Sequence, residues 1–480
     1  MQEENRSPHL PEENQDHSTI STQPVDKFVN PGILLFADQL LTAAGGWIYW
    51  LIISKFVLTE EIGHATTIYS LVLLVNMIAQ MGLEYPLLKK SIAHRQRIFG
   101  SVALIESIIT AASIPIILYS TGTLYQESSE FTWIAIGILV FSSLGFVSRF
   151  ALLGLSMPKT LLIFDVVGTV LKFGSAFALV SAGYGALGIL LSFLIQAIVI
   201  TCGTTFMAAR SFGFGLGNIS FIKEAFRDGL VNMPSKLSGM LVISLSVVLL
   251  ASLGIASSDV GVFYIALMVS IVVGSFASSL AFMSIPASSA VNRDLSSGSL
   301  RIGLAFTAPV IAALIVAPNL ILSFIGTEYT KASEILVVLA AGILPSVILS
   351  NAMSKFNNQN QPRKLLAIGS LRIGMFLVAF YILVPQLGIL GAAYAILISF
   401  STSAILSIVW SGKESLRFVG VSLLSIIAAV LAGTSVTMVA QDYPLLAVGV
   451  SIAVSLFIMF TLRCTSTKEI AAMIASVKRV

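Results

Sequence analysis

Long apolar runs separated by short polar turns recur along the whole chain. The first two, within residues 30–91, flank the turn Thr59-Glu60-Glu61-Ile62-Gly63. A helix needs about 20 mostly apolar residues to cross a bilayer. The pattern predicts fourteen such helices, at about 29–54, 62–83, 99–120, 131–154, 162–182, 186–209, 230–254, 259–285, 301–325, 333–354, 365–384, 388–409, 417–438 and 443–463. The alternation of apolar and polar positions that marks barrel strands is absent. Helices are then the remaining way to satisfy backbone groups in lipid, and the expected fold class is an all-α integral membrane protein.

Composition agrees with the pattern. Of 480 residues, 56% are hydrophobic and 10% charged, against about 25% charged in soluble domains. Lys and Arg fall almost entirely on alternate connections, with Lys55 and Lys331 the exceptions. Basic loops stay on the cytoplasmic side, so both termini are expected there. No basic stripe suggests nucleic acid. Walker, dinucleotide, metal-cluster and nucleophile-elbow motifs are absent, which predicts a non-enzyme with no cofactor. Cys202 and Cys464 are expected to be free, buried thiols.

The expected organisation is a polar cytoplasmic tail over 1–26, a first lobe over 27–210, and a cytoplasmic linker over 211–229. A second lobe over 230–410 and two further helices over 411–463 follow, then an interfacial helix over 464–480. Ser220 is expected to cap an amphipathic helix in the linker, and Ser466 with Glu469 to form a capping box in the last segment. Pro286 is expected to mark the end of the eighth span. The two lobes are read from an internal repeat. Glu61-Ile62-Gly63 returns as Asp259-Val260-Gly261, 198 positions later. Gly185-Ala-Leu-Gly188, ending in Ser192-Phe193, returns as Gly388-Ile-Leu-Gly391, ending in Ser399-Phe400. Six spans return a chain to the same side, so the copies are parallel, an arrangement that builds transporters with a cavity between halves.

Charges inside the spans matter because they are costly in lipid and face a cavity or a partner. The set is Asp38, Glu106, Arg149, Asp165, Lys172, Lys236 and Arg372. All lie between the inner boundary and about mid-span, which suggests a vestibule below an apolar outer gate. The repeat register places Asp38 opposite Lys236 and Lys172 within a turn of Arg372. Lys172, near mid-span, reads as a cavity cation. Arg149 and Lys236 are either cavity cations or side chains that reach back to the interface, and Arg372 is open between a cavity and a structural role. Asp38 is either a protonatable or cation-binding site or the structural partner of Lys236. Asp165 and Lys172 share a helix face too far apart to pair directly, so a neighbouring helix is needed to bridge them. Glu106 reads as a structural hydrogen-bonding group. Gln39, Asn76, Gln196 and Asn351 are expected to link helices or to line the cavity.

The stretches TEEIGHATTIYSLVLLVNMIAQMGLEYPLLKK, SSDVGVFYIALMVSIVVGSFASSLAFMSIPASS, IGTEYTKASEILVVLAAGILP and LGILGAAYAILIS carry a family likeness. Over about residues 27–463 the chain resembles the polysaccharide-transport flippases of the multidrug/oligosaccharidyl-lipid/polysaccharide exporter superfamily. The resemblance implies movement of a polyprenyl-(pyro)phosphate-linked glycan across the cytoplasmic membrane, with cavity cations on the phosphates. Membrane lipid and glycan polymerase or glycosyltransferase machinery are the implied partners. The drug/cation antiporters of the same superfamily are the alternative. They resemble this chain in an acidic residue of the first span, where Asp38 stands, but usually have twelve spans.

Overall fold

The computed structural model describes residues 38, 41–42, 44–84, 87–88, 95–124, 129–155, 157–213, 215–237, 240–291, 296–359, 361–440 and 443–462. The tail over 1–26, Gln39, Cys464 and the segment 464–480 with Ser466 and Glu469 lie outside them.

The described chain is helical. In order the helices are α1 (Ala44–Ile53), α2 (Thr59–Ala79), α3 (Arg95–Leu124), α4 (Ser129–Gly154), α5 (Pro158–Ser181), α6 (Gly185–Phe212), α7 (Ile219–Leu237) and α8 (Met240–Ser252). Then come α9 (Ser257–Val291), α10 (Ser296–Val316), α11 (Pro318–Ser323), a 3-10 turn (Thr327–Ala332), α12 (Ser333–Asn358), α13 (Pro362–Leu387), α14 (Ile389–Ser411), α15 (Lys413–Val439) and α16 (Pro444–Thr461). Among the described residues twelve helices are long and apolar enough to cross a membrane. Two shorter apolar helices, Ala44–Ile53 and Leu241–Ser252, stand where the first and seventh spans are expected.

Local sequence sets the ends. Glu60 and Glu61 fall in the first turn of α2, and Asp259 in that of α9, where the exposed backbone N–H groups favour negative charge. Pro158 and Pro362 start α5 and α13, positions at which the missing N–H costs nothing. Three expectations change. The expected span 301–325 is broken, because Pro318 interrupts the helix and restarts it as α11. The ninth helix continues through Pro286 to Val291. The linker helix runs from Ile219 to Leu237, and its cap is Asn218 rather than Ser220: Phe221 N donates to Asn218 Oδ1 at 3.0 Å.

Packing divides the bundle in two. Helices α4, α5 and α6 pack together with α2 and α3, while α9, α10, α12, α13 and α14 form a second group. Helices α15 and α16 pack on each other and against α10. The two groups meet mainly where α2 crosses α9 and α8. There the repeated turns touch. A Cβ on Gly63 would strike the carbonyl oxygen of Ser257 and come 3.1 Å from Gly261 N, and one on Gly261 would strike the carbonyl oxygen of Thr59. Only glycine allows backbones this close. Trp50 of α1 packs edge-on against Tyr264 of α9 at 5.2 Å across the same junction.

Candidate functional site

The face of α5 that turns inward carries Leu161, Asp165, Gly168, Lys172 and Ala176, a helical stripe, while Val166, Val167, Val170 and Leu171 are exposed. Asp165 and Lys172 therefore share a face, as their spacing predicts, and each has a separate set of partners.

Arg149, on α4, is the bridge to Asp165. Its Nη1 donates to Asp165 Oδ2 at 2.6 Å, and its Nη2 donates to Asp38 Oδ2. The two carboxylates are buried, while the Arg149 side chain retains 30% of its exposure. One planar guanidinium with forked donors suits two carboxylates at once. Asp38 is thus tied within the first helix group to Arg149, where the repeat register suggests Lys236. The register relates equivalent places in two copies, and a contact of Asp38 with Lys236 lies outside the described residues. Lys236 lies on α7, and its side chain is outside the described residues. Arg149 itself is held by two acids rather than reaching freely to an interface. Glu106, on α3, is fully buried, and Arg149 is bonded to Asp38 and Asp165, not to it.

Lys172 sits in an aromatic box. Its ammonium lies 4.8 Å from the ring centre of Tyr49, 5.3 Å from Phe193 and 6.0 Å from Phe173. The box is rigid: Tyr49 packs on Trp50, Phe173 and Phe193 at 5.2, 5.6 and 5.4 Å, and shares a hydrogen bond of 2.9 Å with Ser192. Cation–π attraction strengthens when water is excluded, and here it holds the ammonium. In the second group Arg372, also buried, lies 5.5 Å from the ring centre of Phe400 and donates to Met353 Sδ at 3.5 Å. Phe193 and Phe400 close the two copies of the repeated stretch, with Phe400 one helical turn beyond the position that the glycine register matches to Phe193. Each group thus places one buried cation over a phenylalanine of the corresponding helix. Spacing along the chain places Lys172 within a helical turn of Arg372 in the repeat; the phenylalanines over them come from the adjoining helices α6 and α14.

The uncharged polar residues separate into two kinds. Asn76 Oδ1 accepts from Ser143 Oγ at 2.8 Å, and Asn351 Nδ2 donates to the Ser296 carbonyl at 2.7 Å and to Ser299 Oγ at 2.8 Å. Both link helices. Gln196 forms no such link among the described residues. Cys202 is exposed on α6 rather than buried, because an apolar run on a lipid-contacting helix covers both faces.

Among the described residues no group of three or more His, Cys, Asp or Glu side chains could hold a metal ion. A family model described as polysaccharide biosynthesis protein matches residues 52–334, more than half of the chain. The chain belongs to that family. The likeness read from the sequence is borne out at the level of this polysaccharide family. Among solved structures, the lipid II flippase MurJ in an inward closed conformation is similar with a TM-score of 0.66 and 14% identity, over 88% of this chain and 97% of that one. The Vibrio cholerae MATE transporter VcmN is similar with a TM-score of 0.56 and 14% identity, over 82% and 99%. The MATE multidrug transporter DinF-BH gives 0.54 and 16%, over 83% and 98%. These likenesses establish the fold that this polysaccharide biosynthesis family member shares with both kinds of carrier. No functionally curated protein matches the chain.

Proposed function

We propose that this family member is a flippase. It moves a polyprenyl-(pyro)phosphate-linked saccharide across the cytoplasmic membrane by alternating exposure of a cavity between its two helix groups. In this reading fourteen helices span, both termini are cytoplasmic, and the Gly63–Gly261 junction is the closed outer end. Glycan polymerase or glycosyltransferase machinery hands over or receives the substrate.

The carrying observation is the pair of buried cations, Lys172 over Phe193 and Arg372 over Phe400. A cation inside a membrane protein needs compensation. Arg149 has two carboxylates. The contacts of Lys172 are aromatic rings, so its charge remains available to an anion such as phosphate. The test is a reconstituted flipping assay with a polyprenyl-linked glycan, comparing Lys172→Ala, Lys236→Ala and Arg372→Ala with the parent. Loss in the first and third is expected. Normal activity in all three overturns the phosphate role.

A drug or organic-cation antiporter is the second reading, favoured by the MATE-like fold and by an acid at Asp38. The bond between Asp38 and Arg149 weighs against it, because that carboxylate already has its cation. Dye efflux that depends on a proton or sodium gradient, and that fails in Asp38→Asn, would replace the flippase reading.

A further inference from the structure

A cavity of about 250 Å³ lies inside the first helix group, between α2, α4 and α6. Tyr69 and Phe193 form part of its wall, with rings stacked at 4.1 Å between centres and 17° between planes. Ser142, Gln196 and Arg149 border the same space. Tyr69, Ser142 and Gln196 lie roughly 15–20 Å along their helices from the Gly63 end, at 1.5 Å per residue, near the middle of a bilayer core about 30 Å thick.

At that depth polar groups normally find a partner inside the protein, because lipid offers none. The serines and threonines nearby do so: Ser148 bonds the Leu144 carbonyl at 3.1 Å, Ser192 that of Ile189 at 2.6 Å, and Thr201 that of Phe141 at 2.6 Å. The Tyr69 hydroxyl, the Ser142 hydroxyl and the Gln196 amide are the exceptions. None makes a hydrogen bond among the described residues, and all three border this cavity. Two hydroxyls and an amide, each able to donate and to accept, thus belong to residues that border a space lined mostly by aromatic and aliphatic side chains. The guanidinium of Arg149 uses two of its five N–H donors on Asp38 and Asp165.

The geometry points to a subsite for one hexose ring of the glycan headgroup. A pyranose has an apolar C–H face that lies against aromatic rings and a rim of hydroxyls that bond an amide, a serine and a tyrosine. The volume matches one such ring and falls below the roughly 300–1,000 Å³ of pockets for drug-sized ligands. This inference rests on the flippase reading and adds to it which part of the substrate enters the first helix group. The phosphates remain with the buried cations, and the first sugar is held by Tyr69, Phe193, Ser142 and Gln196.

The test uses the full chain in nanodiscs, with farnesyl diphosphate and its glucosyl, galactosyl and N-acetylglucosaminyl derivatives as probes. At least one sugar is expected to tighten binding about tenfold over farnesyl diphosphate alone, the worth of one or two buried hydrogen bonds. Gln196→Leu combined with Ser142→Ala is expected to remove that gain and to leave farnesyl diphosphate binding unchanged. Tyr69→Phe, which keeps the ring, is expected to remove part of it. If no sugar adds affinity, or if the variants keep the full gain, the subsite is wrong while the flippase reading stands. If farnesyl diphosphate and its glycosides all fail to bind, the flippase reading fails and the subsite with it. Binding of the planar cation ethidium, lost in the same variants while the glycosides do not bind, assigns the cavity to a drug and overturns the proposal.

Discussion

Arg149 Nη1 donates to Asp165 Oδ2 at 2.6 Å while Nη2 of the same guanidinium donates to Asp38. One side chain on α4 thus joins α5 to the chain ahead of α1. Arg149→Ala would leave two buried carboxylates without their cation, at a cost of about 3–5 kcal/mol. The expected result is a marked drop in the thermal unfolding midpoint in detergent. Combining Arg149→Leu with Asp38→Asn and Asp165→Asn removes all three charges and is expected to recover most of that loss. A triple variant as unstable as Arg149→Ala would show that the ion network is not what holds these helices.

Lys172 differs because removing it strands no acid. Lys172→Met keeps the aliphatic stem inside the aromatic box and loses cation–π attraction of about 0.5–2 kcal/mol. It also relieves the burial of a charge. The unfolding midpoint is expected to stay within a few degrees of the parent, while flipping of a polyprenyl-linked glycan falls at least about tenfold, the effect of one charge-assisted contact. A large fall in stability with flipping per folded molecule preserved would make Lys172 a structural residue.

Asn351 and Gln196 are chemically alike and are expected to respond in opposite ways. Asn351→Leu removes bonds to the Ser296 carbonyl and Ser299, and hydrogen bonds between membrane helices are worth about 0.6 kcal/mol on average and up to about 1.7. Gln196→Leu removes none. Unfolding curves should show destabilisation for the first and none for the second. Equal losses would mean that Gln196 has a structural partner.

Gly63→Val places a side chain against the Ser257 carbonyl. Overpacking of this kind costs about 1–3 kcal/mol, and separating α2 from α9 relieves it. Spin labels on Leu58 and Ala256, both exposed beside the junction, should report a longer distance in Gly63→Val than in the parent. An unchanged distance would show that this junction tolerates bulk without opening.

Much of the fold is legible in the chain. Apolar run length locates the helices, and the shared face of Asp165 and Lys172 follows from helical spacing. The partners of those residues are not legible. Arg149 reaches Asp165 because α4 and α5 fold back on each other, and it reaches Asp38 across 111 positions of sequence. The repeat register relates Asp38 to Lys236 as counterparts, and counterparts in a two-fold arrangement need not touch. Lys172 shows the same limit. Its charge marks it at once, but the rings of Tyr49 and Phe193 that hold it are drawn from two other helices and look like ordinary apolar residues. Gln196 is the converse case, a polar residue whose significance lies in a bond it does not make.

The contact of Gly63 with the turn of Gly261 is one in which a position meets its own counterpart. Each would-be side chain strikes the other turn's backbone, the reciprocal pattern of an isologous dimer interface. It is the contact that a single six-helix protein would make with a second copy of itself around a two-fold axis. Fusion of two such copies keeps the contact and frees the rest of each to diverge, so that one now holds a lysine and the other, within a turn of the matching place, an arginine. Co-expressed halves of this chain, cut between Phe212 and Ile219, would have that junction as their means of reassembly.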